Sequence, residues 1–340
     1  MSRNPLHSFL DRTRAFAGAR AAIAALELDL FPALADGART PAELRSKLEL
    51  ADSAITDCFF ELLVTAGFLE ESNGMLALSP MSREMLASHA SIRSWGREML
   101  GTYRSLADLE DLLRTGAFED TETARFWQYK TVDDRSGLDA TAVDEYSRLM
   151  DASQEDASRL VADAYDFSAH RHLIDVGGGY GRLAFEIARR HPDLRVTVLD
   201  LPGVCVETAR RIEAEGLSDR VTCLACDFLD DSLPERVADL VLFCRVLHDW
   251  NDADAARLLE RTIRTLQPGG TALVFEPMFN DVESRSEDAM PAAIMLALLG
   301  GRRRSVQAYQ RLLEVAGYRD VSWRESGRSN WRLVWGVASC

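Results

Sequence analysis

At 340 residues, with 47% hydrophobic and 27% charged side chains, the chain has globular proportions and exceeds what one core usually fills, so about two domains are expected. A net charge of −15 opposes phosphate polyanions, whose binding draws on Lys and Arg, and argues against a nucleic-acid partner. The amino-terminal MSRNPLHSFLDRTRAF lacks the apolar segment of a secretory leader, and nowhere do ~18 uncharged apolar residues run together, so the expectation is a cytoplasmic protein with no membrane partner.

From residue 8 to 120 the pattern is almost entirely helical. AALELDLFPALADG closes at Gly37, and Thr40 to Glu43 then form a capping box with Pro41 at the first helical position. TPAELRSKLEL and SAITDCFFELLVTAGFLEE read as two helices, and SNGMLALSP as a small hairpin turning at Asn73-Gly74. This order is similar to a winged helix. A recognition helix needs basic and amide side chains, however, and residues 51–72 carry Asp52, Asp57, Glu61, Glu70 and Glu71 with no Lys or Arg.

Residues 85–165 are helical again, apart from a loop expected at DDRSGLD. At His172 the rhythm changes to short β-rich runs alternating with helical stretches: HLIDVG, RVTVLDL, VTCLACDF, ADLVLFCRVLH, TALVFEPMF and WRLVWGVAS. Such alternation predicts an α/β domain with a mainly parallel sheet. The division expected is 1–100, 101–165 and 166–340. Cys223 and Cys226 have metal-like spacing but fall in a strand, where residues three apart face opposite ways, and no second pair completes a site. They read as core thiols, and no metal is expected.

The first strand of the α/β part ends in DVGGGYG, residues 175–181, directly before a helix. Glycines admit close backbone approach, and a helix start offers unpaired N–H groups. The dinucleotide pattern fails because position 182 is Arg, which disfavours a pyrophosphate cofactor. The second strand ends in Asp200, at the distance where an acidic residue meets a ribose hydroxyl pair. The third ends in Asp227-Phe228, a carboxylate for an adenine amine and a ring to cover a base. Parallel strands bring these ends to one crevice, so the three groups point jointly to an adenosine site. The fourth strand delivers Arg245-Val-Leu-His248-Asp249-Trp250 to the same edge, and the fifth delivers Glu276. An imidazole titrates near neutrality and suits a general base, with Glu276 to orient it. The expected catalytic group is His248, Glu276 and Asp249.

Together DVGGGYG, VLDLPGV, CDF, RVLHDWND, LQPGG and LLGGRRRS resemble, over nearly the whole chain, the O-methyltransferases of plant phenolic metabolism and their bacterial relatives in antibiotic and pigment biosynthesis. The resemblance implies a Rossmann-like class I methyltransferase sheet with helices on both faces, preceded by a mostly α winged-helix-like dimerisation domain. It implies S-adenosylmethionine as methyl donor, S-adenosylhomocysteine as product, and a homodimer. By it Gly177, Gly179, Asp200, Leu201, Asp227 and Phe228 contact the cofactor, His248 is the base, Glu276 flanks it, and Met150 packs near the transferred methyl. Plant enzymes carry a lysine where this chain has Cys244, which moves that contact to Arg245 or abolishes it. The family's second glutamate is replaced by Arg303.

The expected activity is methyl transfer to a hydroxyl of an aromatic or polyketide-like small molecule of secondary metabolism. Trp127, Trp250, Met150, Met295 and Arg303 are the candidate acceptor contacts, with Phe126, Tyr129 and Tyr146 nearby in sequence. The alternatives are C-methylation of an aromatic or α-keto acid substrate, a cofactor-binding relative that transfers no methyl, and a winged-helix regulator.

Overall fold

The computed structural model describes residues 5–86, 89–117, 121–127, 129, 135, 138, 140–278, 297, 300–327 and 330–339. The chain divides into two compact units, Met1–Ala107 and Asp108–Cys340.

Among the described residues, the first unit is helical apart from one hairpin. Thr40 and Glu43 start the helix Pro41–Lys47 by exchanging bonds: the Glu43 N–H donates to Thr40 Oγ1 (3.2 Å), and the Thr40 N–H to Glu43 Oε2 (2.7 Å). The next helix, Ala54–Thr65, is shorter than the sequence suggests. Gly67 adopts a left-handed φ of 79°, and Phe68 onward leaves the helix for strand β1, Leu69–Ser72, paired antiparallel with β2, Met75–Leu78. Leu69 faces Leu78 across the pair, and tertiary burial of both with Leu76, Leu44, Phe60 and Leu63 overrides the helical periodicity. Asn73 and Gly74 turn the hairpin with φ of 53° and 72°, the left-handed pair a two-residue hairpin loop requires.

The second unit is built on a seven-stranded sheet. Its strands are β3 (His172–Val176), β4 (Arg195–Asp200), β5 (Val221–Ala225), β6 (Ala238–Cys244), β7 (Leu266–Pro277), β8 (Tyr318–Glu325) and β9 (Trp331–Ala338), in the order β5-β4-β3-β6-β7-β9-β8. The pairings from β5 to β7 are parallel, and β9 joins β7 and β8 antiparallel. Strand order reverses between β3 and β6, which opens a crevice at their carboxyl ends. β8 had no counterpart among the expected strands. Its side chains are almost all exposed, so YRDVSWRE lacks the apolar alternation by which strands are read.

Alternation along the central strands feeds two cores. Val241 and Phe243 face a cluster with Val274, Leu258, Leu259 and Tyr309, whereas Leu240 and Leu242 face Val196, Leu183, Ile187 and Val161. Cys223 is not the free core thiol expected: it forms a disulfide with Cys205 at the start of the helix Pro202–Ala214, with Cα atoms 5.9 Å apart. Cys226 is a buried thiol, its pKa pushed up to about 11 mainly by desolvation. Phe243, fully buried at the sheet centre, is the test of this core. Phe243→Ala should lower unfolding free energy by about 3–5 kcal/mol in denaturant titration, the usual cost of emptying an aromatic site.

Candidate active site

The residues at the carboxyl ends of β3, β4 and β6, and just beyond β5, line one cavity of the second unit, enclosing about 1250 Å³ of space that includes open solvent. The glycine turn after β3 has left-handed φ at Gly177 (66°) and Gly179 (56°). A Cβ on Gly177 would stand 3.0 Å from Val246 Cγ2, so the turn must be bare there. At Gly179 the space beside the backbone is open. Asp175 at the strand end is 1% exposed, and its Oδ2 has no hydrogen-bond partner among the described residues. Burial, with Asp200 as a second cause, raises its carboxyl to about 8.

Asp200 ends β4 and accepts from the Gly179 N–H at Oδ2 (2.7 Å) and the Leu201 N–H at Oδ1 (2.8 Å). Desolvation pushes it up to about 6, against the pull of those two bonds. Asp227 follows β5, accepts from the Leu229 N–H (3.0 Å) and pairs with Arg135 (3.0 Å). Phe228 meets Trp250 edge to face, 6.1 Å between centroids. Gly177, Gly179, Asp200, Leu201, Asp227, Phe228 and Arg245 all line the cavity, as do His248, Asp249, Trp250, Met150 and Trp127. Trp127, Tyr129 and Tyr146 form an aromatic wall with centroids 4.9–6.1 Å apart.

His248 sits in a short 3₁₀ turn, Leu247–Asp249, after β6. Glu276, with no solvent exposure, accepts at Oε1 from the N–H groups of Val246 (3.0 Å) and His248 (3.2 Å). The Tyr309 hydroxyl donates to Oε2, which lies 3.8 Å from His248 Nδ1. Glu276 therefore fixes the backbone that carries the histidine. Desolvation raises its carboxyl to about 7, opposed by Tyr309, Arg304 and the His248 N–H. Arg304, 2% exposed, braces the same turn from behind by donating to Leu247 O and Trp250 O (both 2.8 Å).

One expected acceptor contact falls elsewhere. Arg303 does not line this cavity; it lies beside Arg302, Arg304 and Arg311 in a separate basic depression, in a segment seated on the histidine turn by the Arg302 N–H, which donates to His248 O (2.8 Å). Met295 lies outside the described residues. Nothing is described of the side chain of Phe126. Arg245 reaches the cavity with a left-handed φ of 59°, and its guanidinium donates to Ser153 O (3.1 Å), Ser153 Oγ (2.9 Å) and Gln154 Oε1 (3.1 Å). It thereby ties the helices Ala140–Ser153 and Glu155–Ala164 to the end of β6. Arg135, Gln154 and Tyr309 carry no signal in the sequence, and the arginine run that holds Arg304 gives no sign of what it binds. Their polar partners lie far along the chain, and no local pattern announces them.

An α/β sheet with a bare glycine turn, two strand-end carboxylates and a histidine at the switch point defines an enzyme that handles a nucleoside cofactor. Residues 105–319 match the O-methyltransferase domain family. The chain is 36% identical over 319 residues to aclacinomycin 10-hydroxylase RdmB of Streptomyces purpurascens, covering 89% of this chain and 82% of that protein. It is 29% identical over 308 residues to the mitomycin biosynthesis 6-O-methyltransferase of Streptomyces lavendulae, covering 88% and 85%. Among solved structures, mitomycin 7-O-methyltransferase MmcR superposes with a TM-score of 0.86 at 27% identity, over 98% of this chain and 97% of that one. Human N-acetylserotonin methyltransferase in complex with its cofactor shares the fold, with a TM-score of 0.80 at 24% identity over 100% and 99%. The chain belongs to the O-methyltransferase family, and it is an S-adenosylmethionine-dependent methyltransferase.

Asp175 gives the site a pH signature. Its carboxyl is raised from 3.8 to about 8, so the folded state holds a proton that the unfolded state has lost. That contribution is fully present below pH 3.8 and is lost as pH rises through about 8. The Tm difference between Asp175→Asn and wild type should therefore become more favourable to the variant from pH 5 to pH 8. A change of at least about 2 °C by differential scanning fluorimetry is expected, equivalent to roughly 1 kcal/mol.

Proposed function

We propose that this enzyme works in the cytoplasm as a homodimer and methylates a hydroxyl of an aromatic or polyketide-like small molecule of secondary metabolism, with His248 as general base. The observation that carries the reading is the position of His248, which lines one cavity with both the glycine-Asp200-Asp227 crevice and the Trp127-Tyr129-Tyr146 wall. A 3-hydroxy-5-methyl-1-naphthoate 3-O-methyltransferase, 37% identical over 48% of this chain, supports an aromatic acceptor, and the mitomycin biosynthesis 6-O-methyltransferase supports transfer to oxygen.

The residues present fit the cofactor. The open face at Gly179 and the unpartnered Oδ2 of buried Asp175 leave polar groups to be answered by a ligand, and a cationic one suits the carboxyls that burial has pushed up. Gly177 and Gly179 would hold its amino-acid end, Asp200 its ribose hydroxyls, and Asp227 with Phe228 its adenine, while Met150 and Leu201 pack beside it. When bound, S-adenosylmethionine supplies a methyl group on a positively charged sulfur. The aromatic wall and Trp250 orient a flat acceptor and exclude water, so much of the rate comes from positioning. A ring with its hydrogen on Nδ1, toward Glu276, leaves a lone pair at Nε2. His248 then takes the acceptor's hydroxyl proton there: the O–H bond breaks, an N–H bond forms, and the electron pair stays on the attacking oxygen.

His248→Ala should reduce turnover about 10²–10⁴-fold with cofactor affinity nearly intact. Unchanged turnover would remove the base assignment, and lost cofactor binding would make His248 structural. A second reading, a cofactor-binding relative that transfers no methyl, is favoured by the printed name of the 36% identical hydroxylase. Labelled cofactor with an acceptor panel separates the two, because only the methyltransferase moves label into a product.

The homodimer rests on the first unit. Phe16 (58% exposed), Ile55 (83%) and Leu62 (37%) edge an apolar groove with Ala17, Ala21 and Phe59. Exposed apolar groups gathered in this way mark an association face, and the resemblance supplies a second copy as the occupant. Wild type should sediment as a dimer at micromolar concentration and Ile55→Asp as a monomer. A monomeric wild type would contradict the proposal.

A further inference from the structure

The imidazole of His248 lies between two carboxylates, and the one that faces Nε2 has a support of its own. Asp249 Oδ1 is 3.4 Å from His248 Nε2, while the other oxygen, Oδ2, accepts from the Tyr129 hydroxyl at 3.1 Å. The Tyr146 hydroxyl is 3.4 Å from that of Tyr129. The Tyr129 ring is fixed by packing, with Trp127 and Trp250 each 6.1 Å away and Tyr146 5.4 Å away. Asp249 is only 7% exposed, so water contributes little to its orientation.

We propose that the Tyr129 hydroxyl is a positioning residue for methyl transfer: it holds Asp249 so that one oxygen faces the nitrogen of His248 that receives the acceptor's proton. This rests on the reading of His248 as the base. A carboxylate on a short turn can rotate about its side-chain bonds, and a donor on one oxygen leaves the other aimed at the ring. Positive charge appears on the imidazole as the proton arrives, and a fixed anion beside it in a site of low polarity stabilises that charge without having to reorganise. Burial and the Asp249 charge both push the Tyr129 phenol well above its ordinary pKa, so it remains a donor throughout the useful pH range. Tyr146 is shifted the same way by the same two causes. Glu276 faces the other ring nitrogen, its Oε2 lying 3.8 Å from Nδ1, so Asp249 is the carboxylate on the Nε2 side.

Among the described residues, the charged and titratable groups around the ring include Asp249 on its own turn, Glu276 at the end of β7, Tyr129 and Tyr146 beyond Asp249, Tyr309 beyond Glu276, and Arg304 on the carbonyls behind the turn. Arg135 lies further out, 5.8 Å from the Trp250 ring. The sign of the effect is set by the nearer anion. Asp249 favours the protonated ring, so removing its charge lowers the imidazole pKa, and the acid limb of the turnover profile, which follows loss of the neutral base, moves to lower pH.

The test compares the pH profiles of kcat and the acceptor KM for wild type, Tyr129→Phe, Asp249→Asn and His248→Ala. Tyr129→Phe keeps the ring and removes only the hydroxyl; it should lower kcat roughly tenfold with acceptor KM and S-adenosylhomocysteine affinity within about twofold. Asp249→Asn should move the acid limb down by roughly one unit. A Tyr129→Phe enzyme with wild-type kcat, or one that loses only acceptor KM, overturns the proposal and leaves Tyr129 as a packing residue. An unmoved limb in Asp249→Asn, with His248→Ala inactive, overturns it while the base reading stands. His248→Ala at wild-type turnover removes both readings.

Discussion

The site depends on one carboxylate that never meets water. Glu276 is enclosed at the end of β7, where its two oxygens take two backbone N–H groups of the neighbouring turn and the hydroxyl of Tyr309 from the helix Val306–Val315. An isolated buried carboxylate is costly, and these three donors offset much of that cost. The result is mechanical. β6 ends in a turn that cannot relax, since Glu276 pulls it from one side and Arg304 from the other. His248 and Trp250 face the cavity because this turn is fixed, and the crevice between β3 and β6 has a defined wall for the same reason.

The crevice is also an electrostatic store. Asp175, Asp200 and Glu276 are all raised by desolvation, two of them along the cavity and one directly behind it. The folded protein gives up stability to keep acidic groups in a dry cleft, an arrangement more typical of a ligand site than of a core. A sulfonium with an ammonium beside it is the kind of ligand that recovers such a cost. The aromatic wall carries no comparable charge of its own, so the two ends of the cavity differ in chemistry: one suits a cationic cofactor, the other a flat acceptor.

What sequence reveals here follows from the range of the interaction involved. The glycine turn, Asp200, Asp227 and His248 were legible because each is placed by a local rule, a strand end followed by a turn, and the parallel sheet then gathers them. The helix read through residues 53–71 ran too far because its apolar spacing continues past Gly67, where only pairing with β2 decides for a strand. Arg303 read as a candidate contact because it stands in a family motif, yet its neighbour Arg304 is the one that braces the turn. Arg135 lay in a stretch that read as loop, and its partners Asp227 and Asp230 are more than ninety positions away. Arg245 lines the cavity as expected of a candidate contact, and its bonds to Ser153 and Gln154 are a further feature that the sequence does not announce. Single polar contacts across such separations leave no trace in periodicity.

The strand that sequence reading overlooked carries its own safeguard. β8 closes one side of the sheet, and among the described residues nothing pairs with its outer edge, the natural template for a neighbouring molecule's strand. Arg319, Asp320, Arg324 and Glu325 project from it into solvent, and the register slips between Arg319 and Ser322. Another chain approaching that edge would have to dehydrate these charges and follow the irregular register. The alternation of charge that hides β8 from a hydrophobic pattern search thus also opposes edge-to-edge pairing with another copy.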